Sequence, residues 1–529
     1  MLVLLSLLLA AVVAGSTTVL RWQGAVAARE RAAAALADAQ AASGRTLMDG
    51  VLLGVAQNIR SSVQARLSAS PPFLQASELA AIRQGAQNAA DSLTCQNPNP
   101  PRIRIFFTAR ACGEPLPQGQ SLPEPATLHQ GPNASRYTLP FVGVLRGELG
   151  EARQTRVVPG EFHILAGSPS PSFFQLYANT GYQSDGTPSQ FRGEQVWSGP
   201  VYVAGIPVFG RTYRNLPGPF FLAPFLTGVC AGVSPTGCPG GRGTVEFVDV
   251  GAIRPEGLWP SPFTPCYGTS CPKFSAGVDW QAPAYGLPEV LGWGGGVNLS
   301  LGGREASVYL SLGSVSGGPA TRVEIRTGAE TYIYQARGGI LYDAAGSSQV
   351  APVAVVRLAG GSARVAGPVD APAWSVEGGL TLVSEGAIVL EGNLFPDTPA
   401  CLNPAEIVGA VPQAAECPNP TGTGMLGLVS ETSDIIIGRN SPPEVYLAAS
   451  LLAPRGAFRP EGIPPEMRRL TLLGSVAVQH FDDFVRSGRG WSLRLAYDPR
   501  LRDIRPPGWP SLPLSAWGVF PVYAWGSPR

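Results

Sequence analysis

The chain has 529 residues, a formal net charge of +1 and only 14% charged residues, so no global attraction to nucleic acid or anionic lipid is implied. A hydrophobic content of 44% can fill a core, but the length exceeds one ordinary core and implies about two to four units or one elongated repeat body. With 65 Gly and 52 Pro, turns must be frequent, yet no Pro precedes Pro71.

Residues Met1 to Leu20 form an uncharged apolar run followed by Arg21 and Trp22. That length suits a membrane span, with Arg21 and Trp22 at the interface. A cleaved secretory signal is the alternative, because AAVVAG resembles a small-residue cleavage region, but no basic segment precedes the run. From Trp22 to Ser70 the chain stays free of Pro. Met48, Leu52, Val55, Ile59 and Val63 recur at helical spacing and predict one apolar face, leaving Asp49, Gln57, Arg60 and Gln64 to point elsewhere. The spacing therefore predicts a helix of up to about 70 residues, roughly 100 Å long, ending at Pro71-Pro72.

This N-terminus resembles that of a mature type IV pilin-like subunit. The resemblance implies that Met1 follows a removed leader and that the first half of the helix sits in the inner membrane before assembly into a filament core. It departs from the family at Leu5, where major pilins usually carry Glu. That difference fits a minor subunit with no subunit above it. The partners implied are other pilin subunits.

Ala76–Ala90 reads as a short helix. Ile103–Thr108, Tyr137–Arg146 and Phe162–Ala166 read as strands between Pro, Gly and Asn turns. Beyond them the chain is punctuated by Gly and carries internal echoes. Leu380-Thr-Leu-Val-Ser-Glu385 reappears as Leu426-Gly-Leu-Val-Ser-Glu431, and more weakly as Leu470-Thr-Leu-Leu-Gly-Ser-Val476. Gly199-Pro200-Val201 is echoed by Gly367-Pro368-Val369. Units that cannot bury a face alone must stack, so 196–480 reads as an irregular β-solenoid, with a β-sandwich as the alternative. The run from LTLVSEGAIVLEGNL to YDPRLRDIRPP resembles large pilin-like proteins of Thermus-type bacteria, in which a β-solenoid interrupts a pilin head; that resemblance implies DNA uptake at a pilus tip.

The expected fold class is thus α+β: a long N-terminal pilin helix and small antiparallel sheet, plus a large inserted all-β domain. The expected divisions are 1–22 (membrane or filament-core half of the helix), 23–70 (amphipathic half), 71–195 (pilin-like head), 196–480 (solenoid) and 481–529 (Arg-rich, then Pro-rich, returning to the head). The expected location is the inner membrane, with the head outside the cytoplasm and at the cell surface once assembled.

Eight cysteines fall into four local pairs: Cys95/Cys112, Cys230/Cys238, Cys266/Cys271 and Cys401/Cys417. Nearest-neighbour disulfides would clip four loops in an oxidising compartment, although eight cysteines allow many connectivities. No knuckle or Cys/His cluster suggests a metal, and no cofactor is expected.

Local charge locates the candidate nucleic-acid surface. Glu289–Glu444 carries 15 acidic and 7 basic residues and should repel phosphate. Arg455–Arg505 carries 10 Arg against 6 acids, with Phe458, Phe481, Phe484, Trp491 and Tyr497 interleaved. Arg for phosphates and aromatics for bases suit a single strand, making Arg455, Arg459, Arg468, Arg469, Arg486, Arg489 and Arg494 the DNA-binding candidates; the alternative is a solvated, ion-paired face. No catalytic residue is assigned. Asp482-Asp483 is the only directly adjacent acidic pair in view and, on a strand, would point to opposite faces. Gly292–Gly296 reads as a turn, His163 and His480 as structural, and Asp397 and Asp434 lack the ligand spacing of a calcium loop. The readings carried forward are a minor pilin-like subunit in DNA binding and uptake, a pilin-like adhesin or filament-priming subunit that does not bind DNA, and, remotely, a carbohydrate-active β-solenoid.

Overall fold

The computed structural model describes residues 2–69, 73–96, 101–149, 152–187, 189–192, 195–204, 207–209, 219–227, 246–247, 256–257, 273–279, 282–283, 285–288, 292–328, 330–408, 411–418, 420–486 and 488–523. Among the described residues strand far outweighs helix. The α+β expectation is therefore corrected to a largely all-β class. The physical reason is the stacked body described below, which turns most of the chain into short hydrogen-bonded rungs. Helix, among the described residues, is confined to α1 (Leu2–Ala69), α2 (Ala76–Thr94) and short 3-10 turns. Among the described residues no helix is long and apolar enough to cross a membrane, which overturns the expected inner-membrane anchoring through an N-terminal helix. From Gln23 onward α1 mixes Ala with Arg29, Glu30, Arg31 and Asp38, and its apolar face is spent on a sheet. Met1 and the side chains of Leu5, Arg21 and Trp22 lie outside the described residues.

That sheet is antiparallel. Arg102–Phe106 pairs with Ala134–Leu149, which pairs with Ala152–Gly167, which pairs with Ser515–Tyr523 from the end of the described chain. Met48, Leu52, Val55, Ile59 and Val63 are fully buried against it and α2, as their spacing predicts. The 16-residue hairpin strands run far along α1. Near their tip Arg156 grips Asp38 through Nε at 3.1 Å and Nη2 at 3.0 Å, and Glu148 N donates to Gln40 Oε1. Gly143 permits the close approach: a Cβ there would sit 2.7 Å from Met48 Sδ.

Off the apolar face of α1, three of the four polar residues are taken up by other parts of the fold. Asp49 is buried and accepts from Tyr523 OH. Gln64 Oε1 accepts from Ser515 Oγ and Ala516 N, both at 3.1 Å. Arg60 donates to Ala516 O at 2.5 Å and pairs with Asp279, which is 3% exposed and also accepts from Val519 N. Only Gln57 of the four is exposed. Partners more than 200 residues away claim the other three, and helical periodicity carries no trace of them.

The large body is a stack of parallel coils. One inner column runs in strict register: Val297, Val356, Leu382, Leu428, Leu451, Val476, Leu176, Val201, Phe225 and Val278. All but Val297 are at most 1% exposed. At about 4.8 Å per rung the column is roughly 43 Å long. Its order is not the order of the chain. The body starts mid-stack at Leu176, builds outward to Val278, then resumes at Val297 on the far end and returns until Val476 lands on Leu176. The 18 residues between Val278 and Val297 suffice for the crossing, since an extended chain spans about 3.4 Å per residue. Their described parts hold rungs as they pass: Ala282 N donates to Thr227 O at 3.0 Å, Tyr177 OH to Tyr285 O at 2.8 Å, and Trp293 Nε1 to Glu431 Oε1 at 2.8 Å.

Two further walls complete the coils. Ala306, Ala363, Ile388, Ile435, Phe458 and Phe481 align on one. Val445, Leu470 and Leu493 align on the other. At one end an antiparallel meander, Glu305–Val315, Gly318–Thr327 and Glu330–Arg337, pairs with the edge of the second wall instead of leaving it bare. The outer face of the ten-rung wall is covered by Trp509, Leu512, Trp517 and Phe520, so it is buried on both faces except at the end rung Val297–Ser300. The coils take in Leu176–Ala178 and reach Ala496, beyond the 196–480 expected.

The echoes sort by register. Leu380–Ser384 and Leu426–Ser430 are adjacent rungs, residue for residue. Leu470 is not their third copy, because it faces Val445 and Leu493 on another wall while Val476 takes the column position. Val201 is fully buried but Val369 is 71% exposed, so their shared Gly-Pro-Val marks unlike places. Leu428→Ala should leave a cavity in the middle of the column and cost about 3 kcal/mol. Chemical denaturation should show this as a lower midpoint at unchanged slope.

Candidate functional site: the Arg-rich corner of the solenoid

The Arg-rich stretch supplies the last coils of the stack, and register decides what its charges meet. Arg459 sits opposite Ile436, and Asp434 just before it accepts from Arg459 Nε at 2.6 Å and from Ala457 N at 2.8 Å. Arg469 sits opposite Glu444 and pairs with it at 2.5 Å. Arg468 donates Nη1 to Ser441 O at 3.0 Å and lies over Trp491, 5.5 Å from the ring centroid. Arg500 is locked to Asp498 at 2.7 Å, both nearly fully buried. Arg455 also has a partner. Arg489 is exposed and Arg494 half-buried, and the side chain of Arg486 lies outside the described residues. Arg459 and Arg469 are thus neutralised by acids of the neighbouring coil and add no free cation to a basic groove.

The aromatics are equally committed. Phe458, Phe481, Phe484, Trp491 and Tyr497 are all buried. The three Phe rings pack on one another at 4.9 to 6.4 Å. None offers a free face for base stacking. Composition showed the interleaving correctly but not that the rings point inward.

Where the second wall turns into the third, two adjoining clefts open. The first, of about 300 Å³, is lined by Arg439, Glu461, Ile463, Pro464, Pro465, Arg468 and Trp491. The second, of about 320 Å³, shares Glu461, Gly462 and Ile463 with it and adds Ser184, Asp185, Arg459, Asp482 and Asp483. Asp482 and Asp483 line the same cleft. Their segment is not strand, so the expected alternation does not apply. Asp482 accepts from Ser184 N at 2.7 Å and Ser184 Oγ at 2.5 Å, and Asp483 from Arg192 Nη2 at 2.6 Å. Asp185, Glu461, Arg439 and Ser184 come from distant segments, which is why sequence spacing did not single this site out.

Two disulfides follow nearest-neighbour pairing: Cys95–Cys112, and Cys401–Cys417. The latter clips an excursion carrying the hairpin Glu406–Val408/Val411–Gln413. Cys230, Cys238, Cys266 and Cys271 lie outside the described residues. Asp91 lies beside Cys95 and Cys112, but both thiols are spent on the disulfide and Asp91 accepts from Cys112 N at 3.0 Å, so this group is not a metal centre. Asp397 accepts from Val376 N at 3.0 Å, and Asp434 is paired as above. Residues 294–295 form a turn.

His480 bonds Thr180 Oγ1 at 3.0 Å. His163 stacks on Phe520, 5.7 Å between centroids, and lies between Glu161 and Arg136. Burial, and then the Arg136 charge, hold His163 below the ordinary imidazole range. No known protein family, curated protein or solved structure matches this chain.

Two outcomes follow from these environments. Arg500→Ala should cost about 3 kcal/mol by stranding a buried Asp498, whereas Arg469→Ala, in an exposed pair, should cost under about 1 kcal/mol; denaturant midpoints separate them. His163 binds fewer protons folded than unfolded, so its contribution is present above the unfolded value near 6.5 and is lost as pH falls through and below it. The urea midpoint should fall between pH 7.5 and 5.5, and less in His163→Gln.

Proposed function

We propose that this protein is a non-catalytic, adhesin-like binding subunit of a pilin-like assembly, and that it does not act through DNA. The observation carrying this reading is the fate of the Arg-rich stretch. Arg459, Arg469 and Arg500 are paired with carboxylates and Arg468 is held through Nη1 by a carbonyl, while a two-lobed cleft of mixed charge lies open beside them. Phosphate recognition needs several uncommitted cations along one track. A cleft with opposed charges and hydrogen-bonding groups suits a discrete ligand instead.

The assembly half of the proposal rests on α1 and its sheet. The last third of α1 is bound to that sheet, and the solenoid enters after Gly167 and leaves before Ser515, two residues paired with each other. A recognition body is thereby rooted at one point on a helix-and-sheet base. Arg29, Glu30, Arg31 and Leu36 of α1 are exposed ahead of the hairpin and form the surface proposed for contact with other pilin subunits.

Fluorescence anisotropy with a labelled single-stranded oligonucleotide tests the reading. The expected result is weak binding, unchanged when Arg468→Glu is combined with Arg469→Glu. Tight, salt-sensitive binding that falls tenfold or more in that double variant would establish DNA binding and overturn the proposal.

A further inference from the structure

We infer that the corner cleft binds a carboxylated polysaccharide, with a uronate-type carboxylate held by Arg439 and Arg468 and neighbouring hydroxyls taken by Glu461, Asp482 and Asp483. The inference rests on the reading of the chain as a binding subunit and names the ligand of that site. Its first support is the guanidinium of Arg468, which lines the first lobe. Arg468 Nε is buried and makes no hydrogen bond, and the nearest carboxylate, Glu466, is 3.8 Å away and largely exposed. Meanwhile Nη1 is fixed by Ser441 O and the guanidinium is laid over Trp491. Nε itself is sealed from solvent, so a planar carboxylate would meet the guanidinium through Nη2, which has no partner among the described residues, with the plane already set by Ser441 O and Trp491.

Arg439 adds a second cation to the same lobe. It is exposed, and its guanidinium has no partner among the described residues. Its backbone N–H donates to Glu461 Oε2 at 2.9 Å, which anchors Glu461 at the junction of the lobes. Ile463, Pro464 and Pro465 supply an apolar wall of the kind that the carbon face of a sugar ring covers. The second lobe is the reverse in charge: Asp185, Glu461 and Asp482 line it, with Asp483 paired to Arg192 and Arg459 paired to Asp434. Carboxylates there accept hydroxyl hydrogen bonds but repel a second anion. The two lobes together select a chain bearing a carboxylate on one residue and neutral hydroxyls on the next.

Competing polymers fit less well. A nucleic acid would bring a phosphate to every residue and meet the acidic lobe. A peptide adding as a strand needs a free backbone edge, whereas the strands flanking the cleft are paired within the stack.

Isothermal titration of the full chain with tetragalacturonate, its methyl ester and tetraglutamate tests the inference. The expected result is binding of tetragalacturonate at least tenfold tighter than of the uncharged ester or the acidic peptide. Arg439→Gln, an exposed change, should lose several-fold at an unchanged melting temperature; Arg439→Gln with Arg468→Gln should lose tenfold or more, with a lower melting temperature because Arg468 also gives up its Ser441 bond and its Trp491 contact. Equal binding of the ester, or tighter binding of tetraglutamate, overturns the assignment of a uronate site. So does no binding of tetragalacturonate in the millimolar range. The binding-subunit reading falls separately, through the oligonucleotide titration.

Discussion

The contact between Val476 and Leu176 is the joint on which the molecule depends. It sets the last returning coil on the first outgoing one and closes two sequence-separated half-stacks into one column. Without it the body would be two short solenoids, each with an uncovered end beside the sheet. With it, the chain leaves the sheet after Gly167 and rejoins it at Ser515, next to its point of departure. The ten-rung wall then shares Phe520 and Trp517 with the sheet, so base and body share one apolar interface.

The same joint explains the polar face of α1. Val278 ends the outgoing half-stack, and Asp279 beside it is thereby brought to Arg60. Asp279 also holds Val519 N, so one buried carboxylate ties helix, returning strand and outermost coil together. Its desolvation is offset by these two donors. Arg60, which lies off the apolar face of α1, is thus part of the linkage between the two parts of the fold.

Register also governs electrostatics. In a parallel stack a charged residue lies about 4.8 Å from its counterpart one coil away. Opposite charges one coil apart neutralise each other, as Glu444 and Arg469 do. Net charge along a stretch of sequence is therefore a poor guide to the potential of a solenoid surface. The informative positions are the corners, where side chains such as Arg439 have no counterpart among the described residues and the cleft opens.

Much of the local order is written in the sequence. The apolar spacing from Met48 to Val63 determines which face of α1 is buried, and two local cysteine pairs determine two clips. The LTLVSE and LGLVSE runs determine a pair of stacked rungs, because identical spacing of apolar residues stacks best on itself. What the sequence does not determine is the order of the rungs: Leu176, Val201 and Val476 carry no mark of who their neighbour is, since any short apolar strand can follow any other. The tertiary structure decides that order, and with it the largely all-β class, the pairing of each Arg and the convergence of Ser184, Arg439, Glu461 and Asp482 at one corner. These are contacts between residues tens to hundreds of positions apart, made by coil register, which composition and periodicity do not encode.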